Sequence, residues 1–375
     1  MKNNSEAFIG LDVSKSRYAV AVADSGRAGE VRYYGEIESV GEAVRRLAGK
    51  LAKRYERLHF CYEAGPTGYG LYRELTALGH ACDVVAPSLI PLKPGDRTKT
   101  NRRDAVNLAK LLRAGELTSV WVPDEAHEAI RDLVRTREAA CRALRALRQQ
   151  VTSFLLRHGR SYERKAWGRT HARWLAAQSF AHAAQVIAFH DMVAAVRHAE
   201  TRLANLETAI REFVPAWSLA SVVEALQAMR GIDLISAVRF LAEVGDLTRF
   251  ENPRQLMGYL GLVPSEASTG DSVKRGSITK AGNATARRTL VECAWAYRFS
   301  PRVGEKKLAL TRQTPQVVQA IAWKAQLRLT QRFRKLTSRG KKSTVAVTAV
   351  ARELSGFAWA IAKEVSSAPP HARAA

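Results

Sequence analysis

The chain has few cysteines for its 375 residues, and the four it has (Cys61, Cys82, Cys141 and Cys293) lie far apart with no CxxC pair. Such spacing excludes a disulfide frame and a structural zinc site, and points to buried thiols in a reducing compartment. No uninterrupted apolar run approaches the roughly 18–20 residues of a membrane span, and the start, MKNNSEAFIGLDVSK, lacks the apolar stretch of a signal peptide. A cytoplasmic protein with no membrane partner is the expectation. Acids are scarce: Asp+Glu 35 against Lys+Arg 59 leave a formal charge of +24. That field repels basic partners and concentrates polyanions, nucleic acid first; a merely well-solvated basic protein is the plainer alternative. A hydrophobic share of 46% excludes wholesale disorder and suffices for two or three cores.

Residues 1–122 alternate strand and helix signals. FIGLD, a polar turn and an alternating strand open the region. VGEAVRRLAGKLAKRY has helical spacing, with Val40, Val44, Leu47 and Leu51 on one side. LHFCYE and ACDVV are short apolar strands, and a mixed α/β sheet follows. Residues 123–215 have almost no glycine or proline. They read as two long helices, one over 125–159 and one over roughly 178–213, joined by a Trp- and Arg-rich connector into an antiparallel hairpin or coiled-coil arm. The Arg-rich face of 131–148 is open between a solvated helix face and a nucleic-acid track.

Residues 216–365 are mostly helical. ALQAMRGIDLISAVRFLAEV resembles a helix-hairpin-helix, its first helix ending near Arg230-Gly231 and its second running from Leu234 to Val244, a geometry that offers backbone N–H groups to phosphate. An ordinary helical turn is the alternative. Between Lys306 and Lys342 lie eleven cations and no acid, a candidate phosphate-contacting stripe. Residues 366–375 are expected to be a disordered tail.

Three acids carry the first candidate site. Asp12 ends one strand, Glu63 ends another, and Asp104 opens a helix. Acids at neighbouring strand ends plus one from a helix can share divalent metal, here Mg²⁺, and hold the reacting oxygens of a phosphoryl displacement in line. Asp96 and Asp124 look instead like turn or cap residues. Hydroxyls carry the second. PSEASTGDSVKRGSITKAGN is a Ser-, Thr- and Gly-dense loop followed by Lys274, Arg275 and Lys280, which by itself fits a phosphate-gripping or capping turn.

FIGLDVSK, CYEAGPTGYGLYREL, KTNRRDAVNLAKLLRAGELTSVWVP and GLVPSEASTGDSVKRGSITKAGNATARRTLVECAW together resemble the DEDD transposases of insertion sequences, serine-dependent recombinases guided by a bridge RNA and related to the Piv DNA invertase. The resemblance spans nearly the whole chain. It implies an N-terminal RNase H/RuvC-like domain, a coiled-coil arm and a C-terminal transposase domain, acting on the ends and target of a mobile element as a homo-oligomer, dimer or tetramer. Asp12, Glu63 and Asp104 then match three of the four DEDD acids, and the third position falls on Asn101, an oxygen donor without charge. The position of the family's nucleophilic serine is held by Thr269, with Ser268 one residue upstream and Ser272 a weaker candidate; Ser268, a primary and less hindered hydroxyl, is favoured. Arg102, Arg103, Lys274, Arg275, Lys280, Asn283, Arg287 and Arg288 become the expected nucleic-acid contacts. A RuvC-like Mg²⁺ nuclease and a non-catalytic nucleic-acid-binding descendant are the other readings.

Overall fold

The computed structural model describes residues 4–91, 100–269, 272–312 and 314–367. Asp96, Gly270 and the tail from residue 368 lie outside them. The chain divides into two compact units, residues 1–122 and 123–375.

The first unit runs β1 (Asn4–Val13), β2 (Arg17–Asp24), β3 (Val31–Glu38), α1 (Gly41–Ala52), β4 (Tyr55–Glu63), α2 (Gly70–Ala77), β5 (Ala81–Val85) and α3 (Asn101–Ala114). Its five strands form one sheet in the order β3-β2-β1-β4-β5. Neighbours are antiparallel as far as β1 and parallel from β1 to β5. This is the mixed sheet that the strand and helix signals predict. Its alternation puts Ile9, Leu11, Val20 and Val22 on one face, where Val44, Leu47 and Leu51 of α1 close the core. Val40 does not join them. It is the residue before α1, in extended conformation and 49% exposed, because the helix starts only at Gly41. On the other face small residues, Ala19, Ala21 and Ala23, meet Ala105 and Ala109 of α3.

The second unit begins with α4 (Glu125–Arg157), capped by Asp124, whose carboxylate accepts from the His127 amide at 2.7 Å. A short α5 (Arg169–Ala176) interrupts the connector, and α6 (Ala183–Phe213) returns. The ion pairs Arg137–Glu207 at 2.5 Å and Arg148–Glu200 at 2.6 Å fix the two long helices as antiparallel. Then follow α7 (Ala220–Leu226), α8 (Leu234–Val244), α9 (Pro253–Tyr259), β6 (Pro264–Glu266), β7 (Arg275–Ile278), α10 (Ala284–Ala294), α11 (Glu305–Arg312), α12 (Gln316–Ser338) and α13 (Ser343–Ser367). Ile130, Val134, Ile210 and Val214 of the arm share one core with α8, α10, α12 and α13, so the base of the arm belongs to the same packed body.

Most of the Arg-rich face of α4 is scaffold. Arg131 donates to Ala242 O at 2.8 Å, and Arg135 makes a two-pronged bond to Glu243. α7 ends at Leu226, four residues before Arg230, and turns carry the chain to α8. Gly231 takes a positive φ there, and a side chain at that point would run into Cys293 O. The amide of Ser236 in the first turn of α8 is bonded by Asp233 at 2.8 Å, which seats a carboxylate at the helix start that a helix-hairpin-helix would offer to phosphate. α13 is long and apolar enough to cross a membrane by length and composition. Ala346, Val347, Val350, Leu354, Ala358 and Ile361 along it are nevertheless buried in the protein core.

Candidate functional site

The acids of the first unit gather at one end of the sheet. β1 and β4 run parallel with Gly10 beside Cys61 and Leu11 beside Tyr62, so Asp12 and Glu63 are the next neighbours in register. Side chains alternate along a strand, which puts both acids on the face of Gly10 and Cys61. That face is covered by α3. A side chain at Gly10 would fall within contact distance of Ala105 O and Ala109 N, and the Cys61 thiol lies 3.7 Å from Leu108 O. The direction of α3 is fixed at its far end, where Arg113 donates to Gly29 O at 2.7 Å and Asp24 O at 3.2 Å, close to the residue that pairs with Ala7. The first turn of α3, which carries Asp104, therefore lies toward the end of the sheet where Asp12 and Glu63 stand.

Local sequence explains this start. Thr100, in extended conformation, caps the helix through its hydroxyl, which accepts from the Arg103 amide at 3.3 Å, and Gly115 in the left-handed region stops it. Asn101 is the first helical residue, three positions before Asp104 and hence on the same side, and is exposed. Arg102 lies over the Tyr33 ring at 5.2 Å, while Arg103 is exposed.

One oxygen at this end is anomalous. Asp104 Oδ2 is buried and, among the described residues, has no hydrogen-bond partner. A buried carboxylate oxygen without a donor is costly, and a cation is the natural partner for it. The donor chemistry, all carboxylate and amide oxygen, suits a hard ion such as Mg²⁺. Among the described residues no three acidic, histidine or cysteine side chains lie close enough to enclose an ion, so the acids share an end of the sheet without forming a closed cage.

The hydroxyl segment is a β-hairpin where a plain loop between helices was expected. β6 and β7 pair antiparallel, and beyond them Thr269 and Ser272 exchange backbone bonds at 3.1 and 3.2 Å. Short strands hidden in a Ser-, Thr- and Gly-rich run carry no apolar alternation by which to recognise them. Ser268, Thr269 and Ser272 are all exposed. The Ser268 hydroxyl donates to Glu266 Oε1 at 2.8 Å, and Arg275 approaches the other oxygen of Glu266 at 3.4 Å. The Ser268 bond, aided by the Arg275 charge, holds the Glu266 carboxyl below the usual range.

The root of the hairpin is tightly built. Lys280 adopts a positive φ and its amide bonds Gly261 O, while any side chain at Gly282 would collide with Tyr259 O. Lys274, Arg275 and Lys280 are exposed. Three residues expected to contact nucleic acid make polar bonds within the protein, Asn283 and Arg287 half-buried and Arg288 exposed. Asn283 caps α10 and donates to Glu243 at 2.6 Å, Arg287 donates to Leu260 O and Ala281 O, and Arg288 pairs with Glu138 at 2.6 Å. Glu243, which the sequence pattern did not single out, links Arg135 of the arm to this root. Burial opposes its ionisation, yet the bonds from Arg135 and Asn283 hold its carboxyl below the ordinary range. In the basic stripe, Arg328 and Arg332 are neutralised by Glu353 of α13, and Lys307 is turned inward.

Comparison with known proteins agrees over both units. Residues 223–307 match a family described as the transposase IS116/IS110/IS902 family, and residues 9–159 match a DEDD transposase family of the IS110 type. The chain is 60% identical to the y4qE protein of Sinorhizobium fredii over 96% of its own length and 89% of that protein's. It is 32% identical to the transposase for insertion sequence element IS1533 of Leptospira borgpetersenii, over 90% of this chain and 98% of that one. With the transposase for insertion sequence element IS1111A of Coxiella burnetii it shares 24% identity over 60% of its length and 62% of that protein's.

Proposed function

Since the chain belongs to the IS116/IS110/IS902 family of transposases, a DNA-acting family, we propose that it excises and inserts a mobile element by transesterification, with Ser268 as the attacking hydroxyl. The observation that carries this reading is the Ser268 hydroxyl bonded to Glu266 at an exposed hairpin tip. Ser268 Oγ forms a bond to the phosphorus of a DNA phosphodiester, and the bond from phosphorus to the 3′ oxygen breaks. The proton of Oγ passes to Glu266 and on to solvent, and the departing 3′ oxygen takes up a proton. A 3′-hydroxyl then attacks the phosphoserine, releasing Oγ and closing a new phosphodiester. Each step exchanges one ester for another, so no nucleotide is consumed.

Asp12, Glu63 and Asp104, with Asn101 as a neutral donor, would hold Mg²⁺, which when bound stabilises charge on phosphate oxygens. Exposed Lys274, Arg275 and Lys280 flank the hairpin and give phosphate a cationic surround. Target choice is assigned to base pairing with a guide RNA, and activity to a homo-oligomer. Mixing Asp12→Ala protein with a Ser268→Ala, Thr269→Ala protein should then restore strand exchange.

Incubation with element junction DNA, guide RNA and Mg²⁺, followed by a denaturing gel, tests the chemistry. Ser268→Ala should abolish DNA that remains attached to protein and Thr269→Ala should retain it, with peptide mapping placing the link. An adduct lost only in Thr269→Ala would transfer the role to that residue. Hydrolysed ends without an adduct would make the protein a RuvC-like nuclease.

A further inference from the structure

The outer end of the helical arm carries a charge pattern that the reaction does not use. Between Arg157 and Ala176 lie Arg157, Arg160, Arg164, Lys165, Arg169 and Arg173 against a single acid, Glu163. Two of the six serve the fold: Arg157 lies over the Phe154 ring, and Arg160 over Phe180 with a bond to Gln178. The other four are exposed, and among the described residues none has an acidic or hydrogen-bonding partner. The segment beneath them is ordered by its own small core. Leu144, Val151, Phe154, Leu175 and Phe189 are buried together, and His171 is packed against Tyr162, Trp167 and Trp174. A stiff platform that presents four unpaired cations is a surface for a polyanion.

From this we infer that the tip of the arm is a second DNA-binding surface, separate from the hydroxyl hairpin, that grips the backbone of duplex DNA. Three observations choose duplex over single strand and fix its place. The tip aromatics Tyr162, Trp167, Trp174 and Phe180 are half-buried and stacked on His171, Phe154 or Arg148, so their faces are already taken up within the protein rather than standing free for unpaired bases. Contact is left to Arg and Lys, which read phosphate without sequence. The third observation is reach. Glu243 ties Arg135 of α4 to Asn283 at the hairpin root, and Arg157 lies 22 residues further along α4, roughly 33 Å at about 1.5 Å per residue. One turn of duplex DNA measures about 34–36 Å. A duplex bound at the hairpin thus returns the same groove to the tip one turn away. The ion pairs Arg137–Glu207 and Arg148–Glu200 stiffen the shaft between them.

The test uses the full chain and a duplex of arbitrary sequence, about 30 base pairs or roughly three turns long, beside single-stranded DNA and RNA of the same sequence. Fluorescence anisotropy over a range of salt compares wild type, a tip variant (Arg164→Ser, Lys165→Ser, Arg169→Ser, Arg173→Ser) and a charge-matched control (Arg27→Ser, Arg46→Ser, Lys50→Ser, Lys53→Ser) in the first unit. Each lost phosphate contact lowers the slope of log K against log salt by about 0.9. The tip variant should therefore lose about 2 to 4 in slope and bind at least about 10-fold more weakly, while the control stays near wild type. Equal behaviour of the two variants would reduce the effect to net charge and overturn the inference. So would a tip variant that binds like wild type, or a loss confined to single-stranded DNA or RNA. Circular dichroism should show unchanged helix content, because the substituted side chains contribute nothing to the small core. Loss of the Ser268 adduct leaves this inference standing, since binding is read without cleavage.

Discussion

Removal of the Asp104 carboxylate should give opposite results with and without Mg²⁺. Asp104 Oδ2 is buried and has no partner among the described residues, and such an oxygen costs about 1–3 kcal/mol. Against this stands the favourable interaction of an acid with the first turn of its helix, about 0.3–1 kcal/mol. In metal-free buffer, Asp104→Ala should accordingly leave the first unit as stable as wild type or more stable by up to about 2 kcal/mol. With Mg²⁺ at about a hundred times its Kd, binding to the folded form adds about 2.7 kcal/mol to wild type. For a unit of this size that raises Tm by roughly 10 °C, and the variant should show none of it. Scanning calorimetry of the full chain with and without MgCl₂ reads both effects, and isothermal titration calorimetry reads the binding. If Asp104 were only a helix-start acid, the variant would be less stable without metal by about 0.3–1 kcal/mol, and its Mg²⁺ response would match wild type. That pair of results would refute the metal reading of this end of the sheet.

Gly10→Val should cost about 3 kcal/mol or more and abolish the Mg²⁺ response, because any side chain there meets the backbone of α3 and lifts Asp104 away from the sheet; calorimetry checks both. Glu243→Gln should lower stability of the second unit by about 2–3 kcal/mol, since it replaces a charged partner of Arg135 and Asn283. The folded-state carboxyl lies below its ordinary value of 4.5, so the contribution is complete above that pH and fades as the pH falls through the folded value. Denaturant unfolding should therefore show the difference between wild type and Glu243→Gln narrowing on acidification below about pH 4.5. Lys307 donates to Ile232 O at 2.5 Å, and burial lowers its pKa from 10.5 to about 8. In that window the unfolded chain holds the extra proton, so this group adds stability as pH rises from about 8 to 10.5. The stability of wild type relative to Lys307→Met should rise across that range, and a flat difference would contradict the burial of the ammonium group.

What the sequence disclosed and what it hid divide by the distance over which each signal acts. Strand ends are local, so FIGLD and LHFCYE announced Asp12 and Glu63, and the capped helix after Thr100 announced Asp104. α8 was legible to the residue, from Leu234 to Val244, because its apolar spacing and its Asp233 cap lie within one short segment. Val40 misled because a helical spacing continues past a helix start that only the backbone defines. The fate of the basic residues was not legible at all. Arg135 meets Glu243 and Arg288 meets Glu138, partners more than a hundred positions away, and Glu353 neutralises part of a stretch that contains no acid of its own. A count of cations therefore overstates the surface available to phosphate, and the distinction that matters is which cations the fold leaves unpaired. By that criterion the exposed Lys274 and Lys280 of the hairpin and the four cations of the arm tip have no acidic partner among the described residues, whereas Arg275 pairs with Glu266 and Arg288 with Glu138.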